Sequence, residues 1–96
     1  MKYVLLLVLA FNIQAAQIVG KLSPTKECES SKTGQLFVSE NGQLIYQIEI
    51  PTKGSFNIEL PKGKFKFSYL TKNGCSFDKT IPHSTKEQTI NFKVSK

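Results

Sequence analysis

From Leu44 to Leu70 the chain returns to an apolar residue at every second position within three successive segments. Leu44, Tyr46, Ile48 and Ile50 make one set, Phe56, Ile58 and Leu60 a second, and Phe65, Phe67 and Tyr69 a third. Side chains of an extended strand alternate between its faces, so each set describes a strand with one apolar side and one polar side. Pro51-Thr52-Lys53-Gly54 and Pro61-Lys62-Gly63 punctuate them. This pattern predicts antiparallel sheet, packed on one side and wet on the other. Strands of similar character fall at Gln17–Leu22, Gln35–Ser39, Gln43–Ile50, Ser55–Leu60, Lys64–Thr71, Cys75–Ile81 and Glu87–Val94. In the last, Ile90, Phe92 and Val94 face inward. Ser23–Gly34 is polar, carries Pro24 and Gly34, and reads as a loop. Seven short strands at this spacing, with no helical period after Ala16, predict an all-β sandwich.

The turns test the strand phases, because a slip of one residue turns every side chain to the other face. Asn41-Gly42 has the composition of a two-residue hairpin loop. That loop sets Val38 against Ile45 and Phe37 against Tyr46, which mixes the faces. A three-residue loop, Glu40-Asn41-Gly42, pairs Val38 with Leu44 and Leu36 with Tyr46, apolar against apolar. Thr52-Lys53-Gly54 treated the same way opposes Ile50 to Phe56 and Ile48 to Ile58. Lys72-Asn73-Gly74 pairs Tyr69 with Phe77, Phe67 with Lys79 and Phe65 with Ile81. Each loop ends in Gly, which supplies the left-handed residue of such turns. The last register directs Lys79 inward, a device that guards sheet edges, so its strand is expected at an edge or at the rim of the core.

The first sixteen residues resemble a secretory leader. Met1-Lys2 is a minimal positive start, Val4–Phe11 an apolar run, and Ala15-Ala16 a small-residue cleavage site, with Gln14 a poor match at the −3 position. The run is well short of the roughly 20 apolar residues a spanning helix needs. Residues 1–16 are therefore read as the leader and 17–96 as one domain, exported to the periplasm or beyond. In an exported chain a lone pair of cysteines reads as a disulfide, Cys28 to Cys75. Two free thiols or a two-Cys metal site are the competing readings, opposed by a single His and no CxxC spacing. The whole chain carries a net charge of +6, which falls to +5 when Lys2 leaves with the leader. Every basic residue is Lys, a point charge without the planar fork that reads phosphates and bases.

Gly54-Ser55-Phe56-Asn57-Ile58-Glu59-Leu60-Pro61-Lys62-Gly63-Lys64-Phe65-Lys66-Phe67 resembles the G-x-F-x-i-x-LP-x-G-x-Y core of carboxypeptidase regulatory-like domains. Ile18–Leu22 is similar to the opening strand of that pattern. After it the chain departs, with the Cys28 loop and Gln35–Ser39 where the family has an Asp/Gly-rich turn and a P-I-x-G-A-x-V strand. The resemblance implies a prealbumin-like (transthyretin-like) seven-stranded Greek-key sandwich. It also implies that Leu60-Pro61-Lys62-Gly63 arches between the two sheets, where the alternation alone allows an arch or a hairpin. Its residues are turn and core positions, so they speak to fold and not to activity.

Chemistry-bearing residues are sparse. His83 is the only imidazole, in a segment read as a solvated loop with no acid nearby in sequence; Asp78 is the only Asp, and Glu49 and Glu59 point outward on their strands. Catalysis needs such groups held beside a partner. The expectation is a protein that is not an enzyme and holds no metal or cofactor. Specific nucleic-acid binding is not expected either, with no Arg, no Trp and no exposed aromatics among the lysines. Two surface features remain. Phe37 and Ile45, cross-strand neighbours on the outward face in the register above, are a candidate partner contact. Lys62, Lys64 and Lys66, in a row on the wet face of one strand, are a candidate contact for anions, or an ordinary solvated face that discourages edge pairing.

The leading expectation is an exported sandwich acting as a non-catalytic binding or accessory module for an envelope or extracellular protein or glycan. The alternative is a structural envelope component held to an anionic polymer or lipid surface through the Lys-rich face. Salt separates them, since lysine-driven association weakens with ionic strength and an apolar contact does not. Inhibition of a cationic enzyme runs against the positive charge of the chain.

Overall fold

The structure is a computed structural model and describes residues 15–96; residues 1–14 of the expected leader 1–16 lie outside the described residues. Seven strands follow one another: β1 (Ala15–Pro24), β2 (Thr33–Glu40), β3 (Gln43–Pro51), β4 (Ser55–Pro61), β5 (Gly63–Thr71), β6 (Ser76–His83) and β7 (Gln88–Val94), with a single 3-10 turn at Lys26–Cys28. They form a three-stranded sheet in the order β4-β1-β7 and a four-stranded sheet in the order β3-β2-β5-β6. This is a seven-stranded Greek-key sandwich, the architecture the resemblance implies. Ala15 and Ala16, the last residues of the expected leader, extend β1 opposite Pro61 and Leu60 of β4.

The alternation in the sequence builds the core. Ile18 and Leu22 of β1, Leu36 and Val38 of β2, Phe56, Ile58 and Leu60 of β4, and Phe65, Phe67 and Tyr69 of β5 are buried between the layers. From β7, Phe92 and Val94 join them, with Ile90 packed against the cluster. Phe92 is the hub, with ring centroids 5.8 Å from Phe56, 5.5 Å from Phe67 and 4.6 Å from Phe77. Gly20 lies beneath the Phe56 ring, where a Cβ would collide with it. Small against large is how two facing layers interdigitate without voids. The Tyr69 hydroxyl donates to the Ile50 carbonyl at 2.8 Å, which satisfies its one polar atom inside the core.

Connections separate expectation from outcome. Between β5 and β6, Tyr69 faces Phe77, Phe67 faces Lys79 and Phe65 faces Ile81, as the three-residue loop predicts, with Gly74 at φ 88°. β6 is an edge strand, and the inward register of Lys79 fits that place; its ammonium lies 5.9 Å over the Phe92 ring and in contact with solvent. Pro61-Lys62-Gly63 arches from β4 in one sheet to β5 in the other.

Two expected hairpin registers are corrected. Between β2 and β3 the loop is the two-residue Asn41-Gly42, both at positive φ (53° and 79°), as a type I′ turn requires. Ser39 then pairs with Leu44 and Val38 with Tyr46, so Ile45 has no opposite residue. This bulge on β3 absorbs the one-residue slip that argued for a longer loop. Consequently Leu36 faces Ile48, not Tyr46. Thr52-Lys53-Gly54, by contrast, is not a hairpin. It carries the chain from one sheet to the other, and β4 pairs with β1. The Thr52 amide donates to the Lys32 carbonyl at 3.1 Å and the Gly54 carbonyl accepts from Leu22 at 3.0 Å, bonds that hold an arch. Ile50 and Phe56 reach the same core from opposite layers. Alternation dictates which face a residue takes but not which strand lies beside it.

Candidate functional site

The two long sides of the sandwich differ. Along β6 and β7 the layers are tied by paired backbone bonds between Ser76 and Ser95, at 2.8 and 3.1 Å. Gln88 adds a bond to the Pro82 carbonyl at 3.3 Å. Pro82, Lys79 and Asp78 further blunt the β6 edge, since proline has no amide to donate and charges resist a new strand. Along β3 and β4 the closest comparable link is long: the Tyr46 hydroxyl lies 3.5 Å from the Glu59 carbonyl. β3 is therefore an open edge.

That open edge carries three consecutive large apolar side chains in solvent. Leu44 is 51% exposed, Ile45 41% and Tyr46 39%, while Ile50 at the other end of the same strand is buried. Alternation assigned Leu44 and Tyr46 to the core. They are exposed because the three-stranded layer leaves this half of β3 uncovered. Ile45 reaches solvent through the bulge. β3 has no Lys and a single acid, Glu49. An uncharged, apolar run with unpaired amides and carbonyls is a surface that other edges of this molecule avoid.

Sequence reasoning found one of these three residues and misplaced its neighbour. Phe37 does not face Ile45. It sits half-buried on the outer side of β2, with Gln47 opposite on β3 and Ser68 opposite on β5. The register that paired them belonged to the three-residue loop, and the bulge removes it. Lys64 and Lys66 project from the outer face of β5, with Lys62 exposed in the arch before it. Lys66 is not free: its ammonium is 3.6 Å from the Asp78 carboxylate, which also accepts from Ser68 at 2.9 Å. Lys64 and Lys66 line a shallow concavity of about 370 Å³ with Ser39, Asn41, Gly42 and Thr80.

His83 contradicts its reading as a solvated loop residue. β6 runs on through Pro82, which an edge strand tolerates, and brings His83 inward opposite Gly63. There it is buried, with Nδ1 against the Gln88 side chain, Nε2 3.1 Å from the Ala16 carbonyl, and its ring edge-on to Phe65. Of these partners Gln88 and Phe65 belong to the domain read as 17–96, and Ala16 to the expected leader. Among the described residues, no three His, Cys, Asp or Glu side chains gather where they would hold a metal ion.

At the far end from Lys62, Cys28 and Cys75 are joined as a disulfide, with their Cα atoms 6.0 Å apart and both residues buried. The bond ties the loop after β1 to the β5–β6 turn. Around it, Ser31 bonds Asn73, and the Thr71 hydroxyl bonds Asn73 at 2.6 Å and accepts from the Cys75 amide at 3.0 Å. The loop between Pro24 and Thr33 is thus held, not loose.

The fold and its clip define an all-β, disulfide-bonded sandwich domain. Its likeness to solved structures is one of fold. A DUF3823 family protein from Parabacteroides merdae matches 85% of this chain and 46% of its own, with a TM-score of 0.55 and 16% identity. The chain thus spans about half the length of that protein. A leucine-rich repeat protein from Bacteroides thetaiotaomicron matches over 85% of this chain and 12% of its own, with a TM-score of 0.47 and 10% identity. No family model and no curated protein matches the chain.

Proposed function

We propose that the protein is an exported, non-catalytic binding module that takes an extended segment of a partner protein along the free edge of β3. The observation that carries this reading is the exposed Leu44-Ile45-Tyr46 run on an unpaired edge; the β4 and β7 edges bury Phe56, Ile58, Leu60, Phe92 and Val94, and β6 is charged. A partner strand satisfies what that edge lacks. Its backbone bonds the unpaired amides and carbonyls of β3, and alternate side chains cover the apolar run. A glycan offers neither an apolar strand face nor a ladder of backbone groups. Export to the periplasm or the outside is supported by the leader pattern and by the disulfide. Among the described residues no helix is long and apolar enough to cross a membrane. We place the chain with the carboxypeptidase regulatory-like domains on the Gly54–Phe67 pattern, and the arch at Pro61–Gly63 supports that placement.

The test is capture from envelope extract by the processed protein, compared with an Ile45→Thr/Tyr46→Thr variant, at about 50 mM and about 500 mM salt. The expected result is a discrete protein retained by the wild type at both salt levels and lost by the variant. Equal retention by the variant, or loss from the wild type at high salt, overturns the reading.

A further inference from the structure

The lysines are not spread evenly. Lys21, Lys26, Lys32, Lys53, Lys72, Lys93 and Lys96 gather at the pole that holds the disulfide, where β1, β3, β5 and β7 end and β2, β4 and β6 begin. Glu27 and Glu29 of the 3-10 turn and Glu49 near the end of β3 are the acids there. The opposite half has five lysines against Glu40, Glu59, Asp78 and Glu87, close to neutral. Nearly all the net charge therefore sits at one end.

Four of these lysines line two concavities at this pole. Lys32 and Lys72 line a concavity of about 370 Å³ together with Ser30, Ser31, Thr33 and Asn73. Lys21 and Lys53 line a second of about 410 Å³ with Ser23, Ser55 and Asn91. The bond from the Thr52 amide to the Lys32 carbonyl joins the two segments, so the concavities are neighbours. The ion pair seen among the described residues, Lys66 to Asp78, lies elsewhere. Glu49, which does not line either concavity, accepts at 3.3 Å from the hydroxyl of Thr33, a lining residue of the first.

We infer that this pole binds an acidic polysaccharide, whose carboxylates pair with Lys21, Lys32, Lys53 and Lys72 while Ser, Thr and Asn side chains bond the sugar hydroxyls. Both concavities are lined by lysines that make no ion pair among the described residues and by short hydroxyl and amide groups, which suits a polymer with one charge per sugar. A membrane surface fits less well. The turns at 29–32, 52–54 and 72–74 carry no apolar side chain to insert, and Leu70 is the one exposed large apolar residue nearby. Because the loop carrying Lys32 is clipped by Cys28–Cys75 to the turn carrying Lys72, the first concavity is preformed. The inference is independent of the β3 reading and uses none of its residues.

Titration of the processed, oxidised protein with polygalacturonate, dextran and phosphatidylglycerol vesicles tests it. Binding to polygalacturonate and not to dextran is expected. Lys32→Gln/Lys72→Gln and Lys21→Gln/Lys53→Gln should each weaken it by about tenfold, two screened surface charges being worth about 1–2 kcal/mol together. Lys62→Gln/Lys64→Gln, which removes the same charge from the other pole, should change it less than about twofold. All are exposed substitutions, so near-ultraviolet dichroism should be unchanged. The inference is overturned if the control variant loses as much as the pole variants, if the pole variants bind like wild type, or if vesicles are bound in preference to the polymer.

Discussion

At the scale of single residues, Tyr69 shows how the core handles a polar group. It is buried on β5, its hydroxyl donates to the Ile50 carbonyl on β3, two strands away in the same sheet, and burial raises its pKa above the usual tyrosine value. A raised pKa in the folded state leaves stability intact below the unfolded value of about 10 and removes it as pH climbs toward the folded value, because the unfolded chain ionises first. The urea midpoint of the wild type should therefore fall more steeply between about pH 9 and about pH 11 than that of Tyr69→Phe. At neutral pH the same variant should be less stable by about 0.5–1.5 kcal/mol, the net loss of one buried hydrogen bond, because the Ile50 carbonyl keeps its bond from the Thr33 hydroxyl at 3.1 Å. Parallel pH slopes for the two proteins would contradict the assignment. His83 makes a different point about reading residues. Pro82 beside it signals a loop, yet on an edge strand proline keeps its place because the amide it lacks faces no neighbour.

At the scale of elements, the phases of the strands were legible because alternation is a property of one strand. Phe65, Phe67 and Tyr69 go inward whatever lies beside them, and Lys79 with them. Pairing is a property of two strands, and there the reading was partial. The β5–β6 register followed from a loop of fixed length. The β2–β3 register did not, because a bulge at Ile45 makes a two-residue turn compatible with apolar pairs. The break between β3 and β4 was hidden for a related reason: an arch and a hairpin bury the same side chains. The disulfide belongs to this scale too. It links residues 47 positions apart in the sequence and so encloses β2, β3, β4 and β5. Replacing both cysteines by serine should lower stability by about 2–5 kcal/mol, read as a shift in urea midpoint. A shift under about 1 kcal/mol would mean that the pole is held by its hydrogen bonds alone.

For the whole molecule, the informative feature is asymmetry. One long side is tied at Ser76 and Ser95 and fringed with charge; the other shows an apolar strand to solvent; one pole concentrates lysine. Of these, only the charged edge at β6 was legible in the sequence, through the inward register of Lys79; exposure of Leu44 and Tyr46 depends on a layer that is one strand narrower than its partner, and the charged pole depends on which turns the fold gathers at one end. Phe37, Ile45 and the Lys62–Lys66 row stood out by type and spacing, but only Ile45 lies in the open edge. The direct measurement is amide hydrogen exchange on the folded domain alone. If the β3 edge is free, the β3 amides that do not pair with β2 should exchange at rates near those of loops, while Ser76, Ser95 and the β5 amides stay protected. Protection of the whole of β3 equal to that of β5 would show the edge already covered, and would contradict the account.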